Sequence, residues 1–130
     1  MTLNAQYEEI GKKFVEQYYL MFDDSTQRHN LVNMYNSELS FMTFEGKQFQ
    51  GAAGIMEKFN NLGFQKIQRI ITAVDSQPMF DGGILITVLG RLQTDDDQPH
   101  AYIQTFVLAP IGTSFFVQHD IFRLSLHDTI

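Results

Sequence analysis

Four long β-rich runs follow one another in the second half of the chain, and they restrict the fold more than any other feature. They read FQKIQRIITAV, ILITVLGRLQ, HAYIQTFVLA and SFFVQHDIFRLSLH. Between them lie SQPMFDGG, TDDDQP and PIGT, short segments rich in turn formers. Connections this short join antiparallel neighbours, so the pattern predicts a four-strand meander. The runs are apolar on both faces. In the second, Ile84, Ile86, Val88 and Gly90 alternate with Leu85, Thr87, Leu89 and Arg91. In the fourth, Phe115, Val117, His119, Ile121 and Arg123 oppose Phe116, Gln118, Asp120, Phe122 and Leu124. A sheet with one wet face should alternate more cleanly. One face must cover helices, and the other calls for a second subunit as its cover.

The first half supplies the helices. Tyr7, Ile10, Gly11, Phe14, Tyr18, Met21 and Phe22 recur at steps of three and four, while Glu8, Glu9, Lys12, Lys13, Glu16 and Gln17 take the other face. Asp23-Asp24-Ser25-Thr26 breaks that helix and offers N-cap oxygens for another. A short second stripe follows at Leu31, Met34 and Tyr35. LSFMTF and KQFQ flank Glu45-Gly46 and predict a hairpin, because glycine accepts the positive φ of a tight turn. AAGIMEKFNNLG then reads as a third helix with Ile55, Met56, Phe59 and Leu62 on one face and Gly63 as its C-terminal cap. Segregated helices and strands indicate an α+β fold over one domain, residues 1–130.

Charge and composition exclude several functions. The formal net charge is −6, which argues against nucleic acid or an anionic membrane as the main partner and permits a basic protein. The chain has no cysteine, hence no disulfide and no thiol chemistry, a composition that suits a reducing compartment. Neither a secretory leader nor an apolar run of the roughly 18–20 residues that span a bilayer is expected.

Few residues suggest chemistry. A calcium loop beginning at Asp95 would need glycine and glutamate where His100 and Phe106 stand, so Asp95-Asp96-Asp97 reads as an acidic turn or a dock for a basic group. His29, His100, His119 and His127 lack zinc-motif spacing, so no metal is expected. His119 and Asp120 are adjacent on a strand and point to opposite faces. No glycine-rich loop precedes a lysine to cradle phosphate, and no cofactor is expected. A sheet curved around helices makes a cone with an apolar cavity, and a cavity enzyme would need an acid or base aimed inside. Asp81, Tyr102 and Asp120 are the candidates, and nothing pairs them at a diagnostic spacing.

Taken together, YYLMFD, FEGKQFQG, FQKIQ, DSQP, DDDQP and DIFRLSLH resemble the nuclear transport factor 2 family, in order and over nearly the whole chain. The resemblance implies a homodimer of cone-shaped subunits, each a curved antiparallel sheet with three helices forming a half-barrel around an apolar cavity. It implies no catalysis. It implies binding to the GDP form of the small GTPase Ran and to phenylalanine-glycine (FG) repeats of nucleoporins. The expected location is cytoplasm and nucleus, enriched at the nuclear pore. A Ran aromatic would enter a mouth formed by Phe44, Leu62, Phe64, Ile67, Leu92 and Phe122, with Glu45, Asp95 and Asp97 pairing basic Ran residues. Tyr7 would serve the nucleoporin site, and Ile67, Thr87, Thr105 and Ile121 the dimer face. Phe44 and Tyr7 depart from the family resembled, which usually has tryptophan at both places, and residues 25–30 carry a short insertion. Alternatives within the fold are a scaffold module in messenger RNA export and an isomerase or dehydratase.

Overall fold

The structure, a computed structural model, describes residues 3–126, so His127 lies outside the described residues. Helix α1 (Tyr7–Asp23) is followed by a 3-10 helix (Arg28–Met34), the hairpin β1 (Phe41–Phe44) and β2 (Lys47–Gln50), and helix α2 (Gly51–Asn60). The meander is β3 (Ile67–Pro78), β4 (Ile84–Thr94), β5 (His100–Ile111) and β6 (Ser114–Leu124). All six strands form one sheet in the order β2-β1-β6-β5-β4-β3. Every pairing is antiparallel except β1 with β6, which is parallel, so the sheet is mixed. A parallel pair needs a long connection, and here most of the chain lies between its two strands.

Local chemistry explains the elements. The hairpin turns at Glu45 (φ 50°) and Gly46 (φ 86°), two positive values in succession, as a tight two-residue turn requires. Gly51 opens α2 at φ 80°, with no room for a β-carbon, which would lie 2.4 Å from the Ser37 carbonyl oxygen. That helix ends at Asn60, and Asn61 closes it, so Gly63 is not its cap. The second helical stripe is 3-10, with Leu31 buried in it and Tyr35 buried just after it. The Asp24 carboxylate accepts from the Thr26 N–H and hydroxyl and so makes the turn before it. The buried face of α1 is Gly11, Val15, Tyr18, Tyr19 and Phe22, rotated slightly from the predicted stripe.

Two bulges decide which side chains face the helices. In β3 the register against β4 slips at Thr72, between Ile71 and Ala73. In β6 it slips at Gln118, between the pairs Val107–His119 and Leu108–Val117. Strict alternation therefore fails in both strands. Val117 and Asp120 are both buried although their parities differ, and Ile67 faces the same side as Val74. The inner faces pack Ile84, Ile86, Val88, Phe106, Leu108 and Val117 against α1 and α2 in one core. The outer face stays apolar and exposed, with Ile70 at 67% and Ile121 at 50%.

Candidate functional site

A cavity of about 260 Å³ opens between the sheet, α1 and α2. Aromatic side chains dominate its wall because β6 and α2 turn Phe122 and Phe59 inward and α1 turns in Tyr18, Tyr19 and Phe22. Phe44 from the hairpin stacks on Phe122 with ring centres 5.0 Å apart, and the Lys58 ammonium lies 5.2 Å from the Phe44 ring centre. This hairpin wall holds its place because Glu45 caps the sheet. Its backbone N–H donates to the Phe122 carbonyl, and its carboxylate accepts from the Leu124 N–H.

Of the expected mouth residues, Phe44, Glu45, Phe64, Ile67, Leu92, Asp97 and Phe122 line this cavity. Leu62 does not line it but packs against the core beside it. Asp95 does not line it either. Its Oδ1 accepts from the Lys66 N–H at 3.0 Å and the Gln65 N–H at 3.3 Å, which pins the entry of β3 to the β4–β5 turn. Asp95 holds a left-handed backbone (φ 49°) to do so. Tyr7 begins α1 and packs at the edge of the core, outside the cavity.

The expected dimer face divides. Thr87 pairs with Thr105, and Thr105 with Ile121, so these three form one row across the outer face. Ile67 does not belong to it, because it lines the cavity on the inner side. The cause is the Thr72 bulge: without the extra residue, Ile67 would share the face of Asp75, which pairs with Thr87.

The floor is polar, which sequence reasoning did not anticipate for a binding cavity. Asp120 is 1% exposed and accepts from Gln104 Nε2 at 2.8 Å and from the Tyr35 hydroxyl at 2.9 Å. The Tyr18 hydroxyl lies 2.6 Å from that of Tyr35 and 3.3 Å from the same Asp120 oxygen. While Asp120 is ionised, two hydroxyl protons serve three oxygen–oxygen contacts; protonation of Asp120 would supply the third. Burial raises Asp120 from its ordinary 3.8 to about 6, against the opposing pull of Gln104, Tyr35 and Tyr18. Burial, then the Asp120 charge, raises both Tyr18 and Tyr35 well above the usual phenol range, so they remain neutral donors.

Arg69 completes the wall. Its guanidinium makes a bidentate bond to Asp23 at 2.7–3.2 Å and lies 3.8 Å from the Tyr19 ring centre. Burial alone would depress this group, but the bonds and charge of Asp23 outweigh it. Of the three residues weighed for catalysis, Asp120 alone lines the cavity. Asp81 accepts from the Gly83 N–H in the β3–β4 loop, and Tyr102 is buried in the core with its ring against Gly90. The buried acid that a cavity enzyme requires is therefore present, although three neighbouring donors already surround it.

Residues 10–124 match the nuclear transport factor 2 (NTF2) domain model. A Caenorhabditis elegans protein called probable nuclear transport factor 2 is 47% identical over 98% of this chain and 99% of its own length. Nuclear transport factor 2 of Saccharomyces cerevisiae is 41% identical over 95% of this chain and 98% of its own. The solved structure of nuclear transport factor 2 from Cryptosporidium parvum is 43% identical, superposes with a TM-score of 0.90 and covers 96% of this chain and 99% of that one. With relatives this similar over nearly the full length, the chain belongs to the nuclear transport factor 2 family.

Proposed function

We propose that this protein is a nuclear import carrier that binds Ran-GDP at the cavity mouth and FG-repeat nucleoporins elsewhere on its surface. It takes Ran-GDP from cytoplasm to nucleus through the pores. The observation that carries this reading is the mouth itself, where stacked Phe44 and Phe122 stand beside the carboxylates of Glu45 and Asp97. An aromatic probe entering there is worth roughly 1.5–3 kcal/mol by burial alone. Basic residues beside the probe meet acids at the rim, which gives selectivity and speed of encounter. Asp95 stands in the same turn as Asp97 and keeps its second carboxylate oxygen for a partner. Tyr7 is the nucleoporin contact, where a phenol ring can stack on phenylalanine.

The structure suggests a cleaner test than charge reversal. Glu45→Lys removes both the charge and the acceptor for the Leu124 N–H. Glu45→Gln keeps the acceptor and removes only the charge. Ran-GDP affinity should fall roughly tenfold in Glu45→Gln, about 1.4 kcal/mol, with the melting temperature unchanged. Undiminished binding by this folded variant would remove Glu45 from the site.

The outer face fits a homodimer, with the Thr87–Thr105–Ile121 row at its middle and Leu89 and Ile103 beside it. Sedimentation as a single 15.0 kDa species at micromolar concentration would exclude that assembly. The buried acid favours a second reading, a cavity enzyme using Asp120 as acid or base. It stands second because relatives at 41–47% identity are named as transport factors and because Tyr35 and Gln104 already occupy the carboxylate.

A further inference from the structure

The carrier reading uses the rim of the cavity and leaves its polar floor without a task. A ring fits between the two, since about 260 Å³ exceeds the roughly 150 Å³ of a protein cavity that holds benzene. At the floor, Gln104 Oε1 accepts from the Tyr19 hydroxyl at 2.7 Å, and Gln104 Nε2 donates to Asp120 Oδ1 at 2.8 Å. The carboxylate fixes this orientation, because only the NH2 end of an amide can face it. This pair leaves two capacities open, the second N–H of Gln104 and a remaining lone pair on Asp120 Oδ1, and on the wall Arg69 Nη1 is buried without a partner among the described residues.

That open donor and acceptor sit side by side, yet the N–H bonds of a planar amide diverge. One ligand oxygen cannot serve both; an acceptor and a donor on neighbouring atoms can. An amide group has this form, with bond lengths that put its nitrogen and oxygen about 2.2 Å apart. Charged ligands fit badly. The lining carries both signs, Asp120 and an Arg69 already paired with Asp23, so a ligand of either charge would meet a like charge as well as an opposite one. We infer that the cavity floor binds a small neutral aromatic amide, its ring among the aromatic walls and its carboxamide or lactam edge on Gln104 and Asp120.

Three probes of similar size test this on the unmodified protein: benzamide, methyl benzoate and toluene. Methyl benzoate keeps an acceptor and has no N–H, and toluene has neither. Titration followed by NMR shifts of the Gln104 side-chain amide and the cavity aromatics should show benzamide binding at least tenfold tighter than either. Gln104→Leu should abolish that preference while toluene still binds. Equal affinities for the three probes, or no shift at Gln104 with benzamide, would overturn the inference. If Gln104→Leu fails to fold, the three-probe comparison decides alone. The assay contains no partner protein, so its failure leaves the carrier reading untouched.

Discussion

Carboxylates stand at both ends of one cavity, and their surroundings are opposite. At the mouth, Glu45 and Asp97 are seated in turns, and each keeps carboxylate capacity toward solvent. At the floor, Asp120 is 1% exposed and meets only protein donors. The rim acids can exchange water for a partner's cation at little cost, since a partly solvated ion loses little on pairing. The floor acid has already lost its water, and its protein donors offset only part of that cost. In the carrier reading proposed above, the same chemical group serves recognition at one end and internal packing at the other.

The sharpest way to break this comparison is at the cavity wall. Asp23→Asn leaves the Arg69 guanidinium, with a side chain 5% exposed, lacking its counter-charge. Losing one partner of a buried pair should cost about 3 kcal/mol, read as the shift in denaturant midpoint. A loss below about 1 kcal/mol would mean that Arg69 finds water in solution.

The next test uses pH. The folded state raises Asp120 to about 6, so it holds this proton more tightly than the unfolded chain. The favourable contribution is complete below pH 3.8, fades as pH rises through about 6, and is absent at pH 7. A shift of this size corresponds to about 3 kcal/mol. Asp120→Asn cannot titrate, so its stability should change less than that of the parent between pH 7 and pH 4.5. Parallel pH profiles for the two proteins would show that Asp120 is not the titrating group.

The mildest test returns to the rim. Asp97→Asn should weaken Ran-GDP binding a few-fold, under about 1 kcal/mol, and leave stability within about 0.5 kcal/mol of the parent. An Asp97→Asn protein that bound normally but unfolded early would make Asp97 a structural acid like Asp95.

Element order was largely legible from periodicity and turn chemistry. Glu45-Gly46 announced the hairpin because a two-residue turn needs positive φ, and Gly46 supplies it at no steric cost while Glu45 takes the other positive value. The bulges were not legible. Thr72 and Gln118 are ordinary strand residues, and a single extra residue shifts every later side chain to the other face without changing composition. Strict alternation therefore puts Ile67 on the dimer face and sets Val117 and Asp120 on opposite sides, whereas the bulges turn all three inward. The expectation of a mouth came from the family resemblance, since Phe44 and Glu45 stand far from Phe122 in sequence and meet it only through the parallel β1–β6 pairing. The floor was hidden for another reason. An aspartate beside a histidine in a strand looks like a polar interruption until Tyr18, Tyr35 and Gln104 arrive from three other segments.

The β1–β6 pairing also sets an order of assembly. β1 leaves the ribosome well before its parallel neighbour, because 69 residues separate Phe44 from Ser114. Until β6 emerges, the hairpin has no inner neighbour in the sheet, Phe44 has no Phe122 to stack on, and Glu45 has no Leu124 N–H to hold. Contacts so distant in sequence form slowly and leave apolar strand surface uncovered meanwhile. The nascent chain therefore completes this cavity wall only once β6 has emerged, and a fragment ending before β6 lacks both Phe122 and the inner neighbour of the hairpin.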